Sequence, residues 1–296
     1  MSRYCAALII DLVKSRKYST EVRNHIQQFL WETVRVLNKV FDSDLIHEVD
    51  FSGGDEIQGL FHSPQAAYLY YRMFSIYIHP IPIRAGIGFG ILNVEINEKG
   101  TTGQDGSAYH NARHAIRTSD SNDSYPILLY SGSHNDLTLN TIIGISANIV
   151  QQQSILQNQK MLLAELLSPL WSRSVLSSPG SASYDLIYLY KEKIRFLLNT
   201  RKQENLDSLN SSNLNYSSIV AEKQLSPIFA EDSYDSQKFV ITDGKSRGLP
   251  TQLASILGIS RQTIEKSMKS GNIYIARNMS ITALNEMSKI HWRRYT

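Results

Sequence analysis

Two short apolar-rich runs, Leu45-Ile46-His47-Glu48-Val49 and Ile57-Gln58-Gly59-Leu60-Phe61, meet at Phe51-Ser52-Gly53-Gly54-Asp55-Glu56. Runs of that length meeting at Gly-Gly-Asp predict a β-hairpin. Gly53 and Gly54 free the backbone for a tight turn and leave no Cβ in the way of a ligand. Asp55 and Glu56 therefore stand at a bare tip, where two acids do little for stability. Upstream, Tyr4 to Ile10 is a continuous apolar run closed by Asp11, the pattern of a strand buried on both faces. If that strand lies beside the hairpin, Asp11 and Asp55 approach one another, and two close carboxylates repel unless a cation lies between them. Hard oxygen ligands with phosphates completing the shell describe Mg2+ or Mn2+ held by Asp11 and Asp55, with Glu56 as a third carboxylate. Two such ions can serve in-line nucleotidyl transfer. Ser15, Arg16 and Lys17 follow the first strand directly and are placed to cradle phosphates. The bland alternative is a capped strand, a turn residue and a solvated loop.

Around these acids the pattern is mixed. Val22, Ile26, Leu30, Val34 and Leu37 repeat at helical spacing. Ser63-Pro64 opens a second helix, and Ile83 to Ile91 reads as a strand with glycine at 86, 88 and 90. Those glycines are read as small residues that let a helix or a second subunit pack close. The order β-α-β-β-α-β predicts an α+β protein whose first part is ferredoxin-like, one antiparallel sheet with both helices on one face. Ser107 to Ile116 reads as a helix carrying Arg113, which is placed to stabilise transferring charge. Tyr125 to Tyr130 reads as a strand, a polar turn runs to about Asn140, and Ala147 to Ser168 and Tyr184 to Leu198 read as helices. The stretch from Arg201 is polar and reads as a flexible insert. Gln252 to Ile264 has helix-turn-helix spacing, with Gly258 as the break and Ser260 as a cap. Residues 271–277 are expected to form a wing strand and 281–291 a closing helix. The expected divisions are 1–145, 146–200, 201–244 and 245–296.

Net charge is only +3, but residues 245–296 hold nine Lys or Arg (245, 247, 261, 266, 269, 277, 289, 293 and 294) against Glu265 and Glu286. That bias permits contact with a polyanion such as double-stranded DNA, for which Arg261, Gln262, Thr263 and Lys266 are the candidate contacts. No apolar run reaches membrane-spanning length, no signal-peptide pattern is present, and a single cysteine, Cys5, cannot form an internal disulfide. The cytoplasm is the expected compartment.

The chain resembles the SatD family. The likeness rests on Asp11-Leu12-Val13-Lys14-Ser15-Arg16-Lys17, Gly54-Asp55-Glu56-Ile57-Gln58-Gly59-Leu60, Arg84-Ala85-Gly86-Ile87-Gly88-Phe89-Gly90 and Asp105-Gly106-Ser107-Ala108-Tyr109 with Ala112-Arg113. More distantly, the first part is similar to class III nucleotide cyclases and to GGDEF and CRISPR-type palm domains. That resemblance implies two metal ions on Asp11 and Asp55, a nucleoside triphosphate substrate, a transition-state role for Arg113, and a site completed between two subunits of a homodimer. Tyr109 and Phe51 depart from it, standing where cyclases carry an Asn and a base-selecting Lys. The implied activity is a palm-type cyclase or polymerase releasing pyrophosphate. The alternative is a non-catalytic, nucleotide-sensing DNA-binding regulator.

Overall fold

Alternation along the first strand decides the layering. In the computed structural model, which describes residues 3–13, 17–94, 105–121, 124–200, 227–235 and 238–290, β1 (Arg3–Leu12) buries side chains on both faces. Cys5, Ala7 and Ile9 point one way, while Ala6, Leu8, Ile10 and Leu12 point the other. β1 lies between β3 (Glu56–Phe61) and β4 (Ile83–Val94), antiparallel to both, and β2 (Leu45–Gly53) forms the edge beyond β3. On the other side of β4 come the two-residue β5 (Asp105–Gly106), antiparallel, and β6 (Ile127–Tyr130), parallel.

Two helices cover the Ala6–Leu12 face. α1 (Thr20–Val40) starts at Ser19, whose Oγ accepts from Val22 N, and buries Ile26, Phe29, Leu30, Val34 and Leu37. α2 (Pro64–Ile78) is capped by Ser63 in the same way, with Pro64 in its first turn. The other face is covered by α3 (Ser107–Asp120). It lies so close to β4 that a Cβ on Gly86, Gly88 or Gly90 would collide with its backbone, which is the close helix packing the sequence predicts for these glycines.

Beyond the sheet the boundaries differ from expectation. α4 (Asp136–Gln151) begins inside the expected turn, because the Asp136 carboxylate accepts from Ser131 N, Ser131 Oγ and Gly132 N and ties the turn to the first helical residue. The single helix expected over 147–168 is divided at residues 152–154. There Ser154 and Gln157 form a reciprocal capping box that starts α5 (Ile155–Leu167), which ends just before Pro169. α6 spans Ser183–Thr200. Of the polar stretch 201–244, residues 201–226 and 236–237 lie outside the described residues, while β8 (Ile228–Phe229) pairs in parallel with β7 (Leu170–Trp171).

α7 (Leu249–Leu257) ends on Gly258, which takes a left-handed φ of 64°, and α8 (Arg261–Ser270) is capped by Ser260. The expected wing strand over 271–277 is instead the start of α9 (Ile273–Ser288). Its Ile273-Tyr274-Ile275 triplet favours a strand locally, but Ile273, Ala276, Arg277, Ser280 and Ile281 are buried at helical spacing, and packing overrides propensity. Arg277 explains the docking. Its guanidinium donates to the Glu165 carboxylate of α5, and also to Gly244 O at 2.8 Å and Ser168 O at 2.7 Å. Glu165 is held at the same time by Arg72 of α2, at 2.6 and 2.7 Å. Burial pushes the Glu165 pKa up, but Arg277 and Arg72 outweigh it and hold the carboxyl below its usual range.

Candidate functional site

The chemistry-bearing side chains gather at the end of the sheet where β1 finishes and the β2–β3 turn begins. Gly53 pairs with Glu56, so Gly54 and Asp55 form a two-residue connection, with Gly54 at φ 64°. Ile10 pairs with Ile57. One step further, the register puts Asp11 opposite Glu56, and opposite residues of an antiparallel pair share a face. Asp11 belongs to the Cys5–Ile9 face, under α3. Its partner on β4 is Arg84.

Two arginines answer these two acids. Asp11 Oδ2 accepts from Arg84 Nε at 3.0 Å and Nη2 at 2.7 Å. Arg84 also pairs with Asp120, the last residue of α3. About two turns back along that helix, Arg113 forms a two-pronged pair with Glu56, with Nη2 to Oε1 at 2.8 Å, and Ser52 Oγ donates to the same carboxylate at 2.8 Å. The Arg113 hydrogen bond outweighs desolvation and holds the Glu56 pKa below the usual carboxylate range. Arg113 is raised in turn, first by Glu56 and to a smaller degree by Asp11. The cluster of Asp11, Glu56, Asp120, Arg84 and Arg113 thus has three negative and two positive charges in a half-exposed setting. Guanidinium forks of this kind bind carboxylate and phosphate by the same geometry.

Asp55 is elsewhere. It lines a cleft on the α1 side of the sheet with Leu12, Tyr18, Arg23, Ile26, Gln27 and Gly54. The turn therefore sends its two acids apart, Glu56 towards α3 and Asp55 towards α1. Among the described residues no group of three His, Cys, Asp or Glu side chains is arranged to hold a metal ion. With Asp11 on Arg84 and Glu56 on Arg113, the donor set as it stands does not fit a divalent cation. Gly53 and Gly54 have open space around them. Lys17 is exposed, and Ser15 and Arg16 lie outside the described residues. Sequence reasoning assigned no role to Arg84 or Arg23. For Arg84 the available signal was a lone cation opening a strand that the topology sets against β1.

On α8, Arg261, Gln262, Thr263, Lys266 and Lys269 are exposed, and Arg261, Gln262, Lys266 and Lys269 line a shallow groove with Glu265 and Ser270. Thr263 also serves its own helix start, bonding Ser260 through both N and Oγ1.

The molecule is thus an α+β protein with a guanidinium–carboxylate cluster at one end of its sheet. It belongs to the SatD family, whose model matches residues 4–172, from β1 through β7. No curated protein matches the chain. Among solved structures, a bacterial light-regulated adenylyl cyclase is similar at 12% identity with a TM-score of 0.33, over 44% of this chain and 43% of that one. The chain thus spans less than half the length of that structure. No helix among the described residues is long and apolar enough to cross a membrane.

Proposed function

We propose that this SatD-family protein is a nucleotide-sensing regulator: a cyclase-like, ferredoxin-like palm that takes a nucleoside triphosphate at the Asp11–Glu56 end of its sheet, joined to a helix-turn-helix segment that contacts double-stranded DNA. One observation carries the reading. Arg84 and Arg113, from β4 and α3, converge on one sheet end beside an open glycine turn, and each is held there by carboxylates. A phosphate can take a guanidinium from a carboxylate at little net cost, because one two-pronged ionic pair replaces another. Exchange of this kind moves α3 relative to the hairpin, which is what a sensor requires. At the other end, Arg261, Gln262 and Lys266 of α8, with Thr263 beside them, supply the DNA contacts.

A second reading, a palm-type nucleotidyl cyclase or polymerase that uses Mg2+ or Mn2+ and releases pyrophosphate, is favoured by Asp11 and Glu56 sharing a face. It requires both to leave Arg84 and Arg113. The deciding experiment incubates the full chain with each nucleoside triphosphate, with and without Mg2+ or Mn2+, and measures both binding and pyrophosphate release. Binding without pyrophosphate, lost in Arg113→Ala, supports the sensor. Pyrophosphate with a cyclic or linked product supports the enzyme. Absence of binding at millimolar nucleotide removes both. Duplex binding that weakens as salt rises, and weakens further in Arg261→Ala/Lys266→Ala, tests the DNA half.

A further inference from the structure

The cleft on the α1 side of the hairpin turn is a different feature from the Arg113 cluster. It measures about 190 Å3 and is lined by Tyr18, Arg23, Gln27, Gly54 and Asp55 over an apolar floor of Leu12 and Ile26. Arg23 Nε is buried and finds no hydrogen-bond partner among the described residues. Asp55 lines the same space, yet among the described residues it leaves Arg23 Nε without an acceptor. A buried guanidinium N–H left without an acceptor is costly, and such a group calls for a partner to complete it. An Arg with an unsatisfied Nε and an Asp that does not answer it, lining one small cleft, are a poor structural device, since closing on each other would have satisfied that N–H.

The geometry points to a ligand subsite here: Arg23 takes an oxyanion, and Asp55 accepts a hydrogen bond from a hydroxyl on the same molecule. The Asp55 carboxylate opposes a bare anion, so the preferred ligand carries a phosphate and, within a few bonds of it, a donor. The size agrees. Liquid water occupies about 30 Å3 per molecule, and pockets that hold whole drug-sized ligands measure about 300–1,000 Å3. The cleft therefore admits a phosphate with part of a sugar, not an entire nucleotide. Tyr18 and Gln27 supply further polar groups along its walls. Because Asp55 and Glu56 are consecutive and face opposite sides of the sheet, a phosphorylated ribose seated at Arg23 reaches over the open glycine turn towards Arg113. The identity of the ligand rests on the nucleotide reading above; the location rests on Arg23 and its cleft.

Isothermal titration of the full chain with tripolyphosphate and with ATP tests this. In Arg23→Gln, affinity for tripolyphosphate falls on the order of tenfold or more, as for loss of a charge-assisted hydrogen bond. In Asp55→Ala, tripolyphosphate binds as well or better while ATP loses affinity relative to it, because only ATP has a hydroxyl to lose its acceptor. Should Arg23→Gln bind both ligands like the wild type while Arg113→Gln loses them, the subsite is refuted and the sensor reading survives. Should tripolyphosphate need Arg23 while no nucleotide binds more tightly than it, the subsite stands and the nucleotide reading falls. Hydrogen exchange on the wild type avoids any folding defect of the variants. Tripolyphosphate should slow exchange at residues 18–27 and 53–56, and unchanged exchange there with binding present refutes the subsite.

Discussion

Glu165→Gln is the sharpest perturbation of this fold. The Glu165 carboxylate is buried and shared by Arg72 and Arg277, and Leu170 N donates to it as well. The triad carries one negative and two positive charges, a net +1 already drawn out of water. Glutamine has nearly the same shape but removes the negative charge, so the buried net charge becomes +2 and the two guanidiniums repel. Arg277 keeps Gly244 O and Ser168 O, and Arg72 keeps Ser280 Oγ, so the loss is ionic more than geometric. Breaking a buried pair by removing one partner costs about 3–5 kcal/mol. At roughly 2–3 °C per kcal/mol for a chain of this size, the melting temperature should fall by about 6–15 °C. Thermal unfolding followed by circular dichroism, with urea unfolding beside it, measures the change. The pH dependence has a definite sign. The Glu165 pKa is lowered in the folded state, so its contribution is present above the unfolded value of 4.5 and is lost as pH falls through the folded one. Glu165→Gln should lack that acid-side component. A loss below about 1 kcal/mol, or an unchanged acid limb, would refute the account of the triad as the element that docks α9.

Three further outcomes follow from the geometry. Gly88→Ala drives a methyl into the α3 backbone, so it should cost about 1–3 kcal/mol by overpacking, and because it displaces Arg113 it should weaken triphosphate binding as well; titration calorimetry on the folded variant checks this. Arg113→Gln removes the main cause of the lowered Glu56 pKa, so carboxyl NMR should find the Glu56 titration moved up towards 4.5, with a stability loss of only about 0.5–1.5 kcal/mol because the pair is half-exposed. Lys160 is buried, and burial pulls its pKa from 10.5 down to about 8. Lys160→Met should therefore stabilise at pH 7, by on the order of 3 kcal/mol at most, and the gain should shrink as pH rises from about 8 to 10.5; denaturant midpoints across that range test it.

Much of the sheet was legible because its signals are local. The unbroken apolar run before Asp11 marks β1, the glycines at 86, 88 and 90 mark a close-packed surface, and Ser63-Pro64 and Ser260 mark helix starts. The failures at the wing strand and at the site depend on partners far away in the chain. The wing strand was wrong because Arg277 answers to Glu165, 112 residues earlier. Asp11 and Asp55 were expected together because both end strands, but a two-residue turn fixes the parity, and it sets Glu56, not Asp55, on the face of Asp11. Arg84 and Arg23 look like ordinary surface cations until the register and the cleft are known.

The shared carboxylate of Glu165 also bears on how this chain can vary. The stretch that marks the SatD family stops at residue 172, but its buried interior does not, since a single apolar cluster runs from Ala6 to Ile290 and passes through α9. A chain ended before Lys245 would leave Glu165 with one guanidinium in place of two and would uncover the apolar surface that α9 shields. The tail is therefore a co-owner of the scaffold and not a passenger on it, and drift in either half is constrained by the other. Substitutions on the outward face of α8, which leave Ile264 and Met268 in place, are the changes that such an arrangement tolerates.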